Sequence, residues 1–303
     1  MQQQTKILKG LKNCYCDFVG TACGNDYNSN GEICESDLMN ICRQVVQKNV
    51  QSGVLSLFLK SPNLEVARSV IEEFEIDGKV IISADKLQEI RVQDLLGDNV
   101  IVEVSSVLEM SDGALSNLSD LSAKMKVPLL FHLGRTLEEV GLISVRYHQS
   151  PSRFLEEFGF LDRECYILGG NYLDKDDFSL LSSYGAKVIL TPKSDSLCGR
   201  EFVNLLTLEN ADIDYCFGSD IYPIVNIFHE ALLAYEGTAN LLVNNFTLDL
   251  KRLEKSLQSD FGQVEIEDDD IDFPLGLFET ERGQIVRVMS KDNKLIYQKG
   301  EKK

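Results

Sequence analysis

Histidine is scarce in this chain of 303 residues: there are three, His132, His148 and His229. A centre built from four histidines is therefore excluded, whatever the fold. Positive charge is also in short supply. Lys and Arg number 30 against 48 Asp and Glu, for a formal net charge of −18. So acidic a chain repels phosphate backbones, which argues against general nucleic-acid binding. An anionic membrane surface is disfavoured for the same reason. No apolar run approaches the ~20 residues that a spanning helix needs. The N-terminal MQQQTKILKG lacks the apolar stretch of a secretory signal, so the expected location is cytoplasmic. No CxxC pair occurs among the 8 cysteines, and Cys14-Tyr15-Cys16 is the only close spacing. Reduced thiols are expected in that compartment, with Cys165, Cys198 and Cys216 behaving as small hydrophobes.

The rest is ordinary globular composition, 44% hydrophobic and 26% charged, enough to bury a full core. Short apolar runs recur at 14–19, 54–59, 80–82, 100–104, 129–131, 166–168, 188–190 and 213–217. Most are continuous, as in strands covered on both faces. Helical periodicity fills the gaps at 35–47, 63–74, 115–125, 174–184, 200–208 and 226–235. Ser36 or Asp37 is placed to start the first helix and Asp174 a later one. Gly78, Gly97 and Gly185 stand where helices end in a left-handed residue. Strand–helix alternation means parallel strands. The expected fold is α/β, a (β/α)8 TIM-type barrel over 1–236, with a C-terminal helix and β-hairpin appendage over 237–303. In that tail, 238–258 reads as helix, the acidic 265–272 as a solvated loop, and 284–289 with 294–298 as the hairpin.

Function in such a barrel sits at the C-terminal ends of the strands. Asp17 and Gly20 follow the first run, and His132 ends the fifth. Gly169-Gly170-Asn171 ends the sixth, TPKSD at 191–195 follows the seventh, and Gly218-Ser219-Asp220 ends the eighth. His132 is a candidate metal ligand and Asp220 a candidate acid/base.

Five segments then carry a resemblance. FHLGRTLEEV at 131–140 resembles the fifth-strand motif H-x-x-E-T-x-x-E-V of the amidohydrolase superfamily. SPSRFLEEFGFLD at 150–162 is similar to the segment that follows it there, P-v-x-x-L-x-x-l-G-L-L. YILGGNYLD at 166–174 resembles the sixth-strand l-l-a-H-c-v-y-L-d, and TPKSDSL at 191–197 resembles c-P-x-S-N-x-x-L. FGSD at 217–220, with FHE at 228–230, resembles l-G-T-D and the helix bearing m-x-E. The resemblance covers 127–236 and is strongest to the nucleoside-type deaminase and chlorohydrolase branch. It implies one catalytic metal, usually zinc or iron. The metal would be held by a first-strand H-x-H, two further histidines and an eighth-strand Asp, with a Glu shuttling protons. Such a metal brings the pKa of its bound water toward neutrality, and the carboxylate moves that proton to the ring nitrogen.

Carried across residue by residue, His132 and Asp220 match the family pattern. Arg135 stands at the proton-shuttle position and Gly169 at the sixth-strand His. The first-strand pair is Tyr15 and Asp17 or, one residue slipped, Cys14 and Cys16. The expected site therefore has Asp220 and Arg135 as catalytic groups and Asp17, His132 and Asp220 as a residual metal set. Gly169, Asn171 and Ser194 are the expected substrate contacts. A fixed guanidinium repels a divalent cation and is expected to pair with Asp220 or Asp17. The function expected on this basis is that of a pseudoenzyme: metal-dependent C–N hydrolysis lost, no cofactor, a binding or interaction role. The alternative is an active hydrolase or deaminase of an aminoheterocycle or purine-like compound, with zinc in an unusual site. A small-molecule ligand is expected. The hairpin, read as a remnant of the family β-sandwich, exposes a sheet edge, so a homodimer or a heteromer with a related protein is expected too.

Overall fold

A computed structural model describes residues 4–17, 35–88, 99–222, 226–241, 249–268, 284–289 and 295–298. Strand and helix alternate through β1 (Gln4–Asp17), α1 (Glu35–Gln51), β2 (Val54–Lys60), α2 (Leu64–Glu73), β3 (Asp77–Ser83) and β4 (Val100–Val104). They continue through α3 (Asp112–Met125), β5 (Leu129–Leu133), α4 (Leu137–Tyr147), α5 (Pro151–Glu157), β6 (Cys165–Gly169), α6 (Lys175–Ser183) and β7 (Lys187–Leu190). Then come α7 (Pro192–Leu197), α8 (Leu205–Asn210), β8 (Asp214–Phe217), α9 (Ile227–Leu241), α10 (Leu250–Leu257), β9 (Gln258–Asp268), β10 (Gln284–Met289) and β11 (Leu295–Gln298).

Strands β1 to β8 stand in chain order in one sheet, and β9, β10 and β11 extend it beyond β1. The β1–β2, β4–β5, β5–β6 and β6–β7 pairs are parallel. A parallel bridge joins Cys16 to Asp220, just past β8. This is the expected (β/α)8 TIM-type barrel fold. Among the described residues no helix is long and apolar enough to cross a membrane.

The chain divides into two compact units. One comprises Met1–Val80, Phe217–Leu232 and Asp249–Lys303. Here α2 buries Leu64, Val66, Ala67, Val70 and Ile71, the single apolar face of an amphipathic helix. Its N-cap, Asn63, accepts the Val66 N–H at 3.1 Å. Strand β9 runs antiparallel to β1 from Gln4↔Asp268 to Leu11↔Gln258, and β10 and β11 form the expected hairpin.

The other unit comprises Ile81–Cys216 and Leu233–Leu248. All residues of β4 and β6 are buried, which is why their runs are continuous rather than alternating. Aromatic rings link α4, α5 and β5. Tyr147–Phe154 centroids lie 4.5 Å apart, Phe154–Phe158 5.0 Å and Phe131–Phe160 4.9 Å. Tilted pairs of this kind contribute about 0.5–1.5 kcal/mol each beyond their burial. Asp174 caps α6 in a reciprocal box with Asp177, as expected from the sequence.

Several local expectations need correction. Strand β1 begins at Gln4 rather than Cys14. Its early part is held by β9, far along the chain, and local periodicity carries no trace of that pairing. The acidic run is not simply a loop: through Asp268 it lies in β9, paired with β1 and β10, and 269–272 fall outside the described residues. Gly78 sits inside β3, and Glu75 (φ 53°) takes the left-handed turn instead. Gly185 (φ 71°) does end a helix as expected, while Gly97 and Gly20 lie outside the described residues. The first helix starts at Glu35, ahead of Ser36. The expected helix over 238–258 is α9, ending at Leu241, and α10, starting at Leu250. Residues 242–248 are outside the described set. Helices α4 and α5 were not expected as separate elements.

Candidate functional site

Each unit carries one cluster of strand-end polar residues. In the second unit it starts from a carboxylate that sequence reasoning missed. Glu103 lies within the apolar β4, 0% exposed. The register pairs Glu103 with Leu130, and His132 lies two residues further along β5. Both side chains therefore leave the sheet on one face. His132 Nε2 lies 2.7 Å from Glu103 Oε1, and Arg135 Nη1 lies 3.3 Å from His132 Nδ1. A guanidinium can only donate, so Nδ1 accepts and Nε2 carries the proton given to Glu103.

Arg135 is fixed at both ends. Its backbone N–H donates to Glu139 Oε2 at 2.9 Å, while Thr136 caps α4 by accepting the Glu139 N–H at 3.1 Å. Burial holds the Glu139 carboxyl above its ordinary range, with the backbone N–H of Arg135 offsetting part of that rise. At the other end, Arg135 Nη2 lies 3.8 Å from Asp195 Oδ1. Asp195 also accepts Arg200 Nε at 2.7 Å and Asn171 Nδ2 at 2.9 Å.

Gly169 and Gly170 end β6 with φ of 109° and 81°. A Cβ on Gly169 would come 2.4 Å from Arg135 Cγ and 3.2 Å from Asn171 Oδ1. The glycine is thus the space over which the arginine stem passes. Of the expected substrate contacts, Ser194 is buried and accepts Arg200 Nη2 at 3.2 Å. Asn171 also donates to the Glu201 carbonyl at 2.7 Å. Two buried oxygens, Asn171 Oδ1 and Thr191 Oγ1, have no hydrogen-bond partner among the described residues.

In the first unit, the chain after β8 lies against β1. Ser219 and Asp220 N–H groups both donate to the Tyr15 carbonyl, at 2.8 and 3.0 Å, and the Asp17 N–H donates to the Asp220 carbonyl at 2.9 Å. A Cβ on Gly218 would lie 2.9 Å from the Tyr15 carbonyl oxygen, so the contact requires glycine. Asp220, 6% exposed, holds φ at 52°, a conformation uncommon for any residue with a side chain. Asp17 forms an ion pair with Lys60 at 3.3 Å, and Lys60 Nζ also reaches the Tyr15 hydroxyl at 3.4 Å. Within its own unit Arg135 has Asp195 as a counter-charge, and Asp17 has Lys60; neither partner was singled out from the sequence.

Strand β1 is bulged between Asn13 and Cys16, which breaks its two-residue alternation. Asn13 donates to Asn49 at 3.0 Å and to Ser219 at 2.8 Å. Cys16 hydrogen-bonds to the same Ser219 and Asn49, and burial pushes its thiol up to about 12. Tyr15 and Asp17 both meet Lys60. This separates Cys16 from Tyr15 and Asp17 and works against a thiolate at Cys16, since the thiolate is the form that binds metal. Burial likewise holds Cys42 and Cys165 at about 12, while Cys198 is exposed. Native protein treated with iodoacetamide at pH 8 is expected to be alkylated at Cys198, with Cys16, Cys42 and Cys165 modified only after denaturation. Peptide mapping by mass spectrometry checks this, and rapid labelling of Cys16 would contradict it.

The donor set does not fit zinc. Both His132 nitrogens are engaged, one by a carboxylate and one by a guanidinium. Among the described residues no group of three or more His, Cys, Asp and Glu is placed to hold a metal ion.

No protein-family model matches the chain. It is 33% identical over 92 residues to a 5-methylthioadenosine/S-adenosylhomocysteine deaminase of Thermococcus onnurineus, covering 30% of this chain and 22% of that protein. It is 24% identical over 201 residues to the Clostridium tetani protein of the same name, covering 66% of this chain and 42% of that protein. The matched part thus spans less than half the length of these relatives. Among solved structures, a zinc-bound adenosine deaminase from Xanthomonas campestris superposes with a TM-score of 0.79 at 14% identity, over 96% of this chain and 80% of its own. A guanine deaminase from C. acetobutylicum with bound guanine gives 0.73 at 13% identity, over 97% of this chain and 87% of its own. These findings overturn the expected pseudoenzyme, because the relatives are named deaminases and the structural neighbours are deaminases and hydrolases. Missing histidine ligands do not by themselves remove acid–base chemistry, and Glu103 sets a carboxylate against His132. Together, the partial similarity to these relatives and the shared barrel fold bear out the expected resemblance to the amidohydrolase superfamily.

Proposed function

We propose that the chain is a hydrolase of the deaminase type, acting on an amino-substituted heterocycle of purine-like class. The observation that carries this reading is the buried Glu103–His132 pair, with the Arg135 guanidinium at the other imidazole nitrogen. A carboxylate behind an imidazole fixes its tautomer and stabilises the imidazolium formed when it takes a proton. Here the proton-accepting atom is Nδ1.

The Arg135 contact to Nδ1, at 3.3 Å, is at the long end of hydrogen bonding. A water that takes this lone pair keeps the guanidinium as its next neighbour. His132 Nδ1 then removes a proton from that water as the oxygen bonds to the ring carbon bearing the amino group. The adduct is tetrahedral, and the imidazolium returns the proton to the amino nitrogen. The electron pair that the addition placed on the ring nitrogen re-forms the ring C=N bond as ammonia leaves with the exocyclic C–N pair, and the hydroxyl proton passes to the ring nitrogen, leaving a carbonyl. The unpartnered Asn171 Oδ1 and Thr191 Oγ1 are polar groups that a ring's nitrogen and N–H edge would satisfy.

The test is ammonia release. Purified protein is incubated with adenosine, 5-methylthioadenosine, S-adenosylhomocysteine and guanine in turn. At least one is expected to be turned over above the uncatalysed rate, with the rate lost in His132→Ala. No ammonia from any of them, at enzyme concentrations high enough to see a few turnovers per hour, would end this reading.

A further inference from the structure

We infer that Arg135 is the fixed cation of this site, that Gly169 is the seat of its side chain, and that the chemistry is metal-independent. The inference deepens the hydrolase reading and rests on it only for the part Arg135 plays in turnover. Three observations converge. The first is occupancy of the imidazole. With Glu103 at Nε2, the one imidazole lone pair is on Nδ1, and it faces the Arg135 guanidinium, whose fixed charge admits a water but repels a divalent cation. The second is steric. Even one carbon on Gly169 would lie 2.4 Å from Arg135 Cγ, so a histidine there and the Arg135 side chain in its present place exclude each other. The two departures from the family pattern are therefore one geometric event. The third is electrostatic. The Arg135 side chain is 14% exposed and Asp195 3%, and the backbone of Arg135 is pinned by Glu139. A guanidinium that keeps its charge at any working pH is thus held beside the proton-accepting nitrogen. Placed there in advance, it lies beside the water that Nδ1 deprotonates, where it stabilises the hydroxide-like charge of the attacking oxygen.

The decisive measurement uses the wild-type chain. Protein expressed in zinc-supplemented medium and desalted without chelator is taken to elemental analysis, then titrated with zinc chloride by calorimetry. Far less than one zinc per chain and no saturable binding are expected, whereas one tightly held zinc per chain would overturn the inference. The second measurement is the side-chain ¹⁵N spectrum at neutral pH, tractable because the chain has 3 histidines. His132 is expected as the Nε2–H tautomer. Arg135→Ala should perturb its two nitrogen resonances, and Gly169→Ala should move the same resonances by displacing the arginine stem. A His132 signature unchanged in both variants would also overturn the inference. Turnover enters neither measurement. A chain that binds no zinc and releases no ammonia ends the hydrolase reading alone. A chain that releases ammonia only with zinc ends the cation assignment alone.

Discussion

Ammonia release by Glu103→Gln is expected to fall by about 10²–10⁴-fold, the range that a positioned acid–base group contributes, while the fold loses little. Glutamine keeps an oxygen 2.7 Å from His132 Nε2 and so keeps the hydrogen bond. It removes the negative charge that stabilises the imidazolium once Nδ1 has taken a proton. Glu103→Ala is expected to lose the same activity and also stability. The imidazole N–H would then face a buried void without an acceptor, which costs about 1–3 kcal/mol. Urea-unfolding midpoints separate the two variants, and the ammonia assay unites them. The charge order explains why the wild-type arrangement is tolerated so deep in the protein: Glu103, His132, Arg135 and Asp195 stand in a row, carboxylate, imidazole, guanidinium, carboxylate. Each buried charge meets its opposite or a polar relay, the condition under which burial of ions is bearable. Full turnover in Glu103→Gln would show that the carboxylate only fills space.

The same row shows what sequence could and could not convey. His132, Arg135, Gly169 and Asn171 were all legible, because each stands where an apolar run stops and such stops mark strand ends. Asp195 was on view in TPKSD but carried no reason for selection until Arg200, Asn171 and Arg135 were seen to converge on it. Glu103 was hidden by its company. It sits inside VIVEV, a run read as strand by its hydrophobicity, and the lone charge there was passed over. It was in fact the most informative letter of the segment, since a carboxylate does not enter a strand buried on both faces without a partner. Lys60, the last residue of β2, was missed for a related reason: a lysine after an apolar run reads as a solvated end until a carboxylate is found beside it. The β1 bulge was illegible in principle. A one-residue insertion changes which side chains share a face, and nothing in NCYCD announces it. Two registers, Tyr15 with Asp17 or Cys14 with Cys16, therefore stayed open until pairing with β2 set Cys16 apart.

Gly169→Ala is expected to be the costliest single methyl that can be added to this cluster. At φ 109° the position lies outside the left-handed helical basin that other residues visit, and holding alanine there costs about 1–3 kcal/mol. The new Cβ must also push Arg135 Cγ away from 2.4 Å, and overpacking of this kind adds about 1–3 kcal/mol. Gly185→Ala provides the comparison. Its φ is 71° and nothing lies within 4 Å of the added carbon, so only the left-handed penalty of about 1–2 kcal/mol applies. If the two variants unfold at the same urea concentration, the stem of Arg135 does not lie over Gly169. The sharper measurement is the cycle with Arg135→Ala. Removing the stem removes the clash, so the double variant should be more stable than the sum of its single losses by a coupling of about 0.5–3 kcal/mol, the size seen for residues in contact. Zero coupling would mean that the glycine at 169 and the arginine at 135 are separate accidents, and the case for one geometric event at the two positions would be lost.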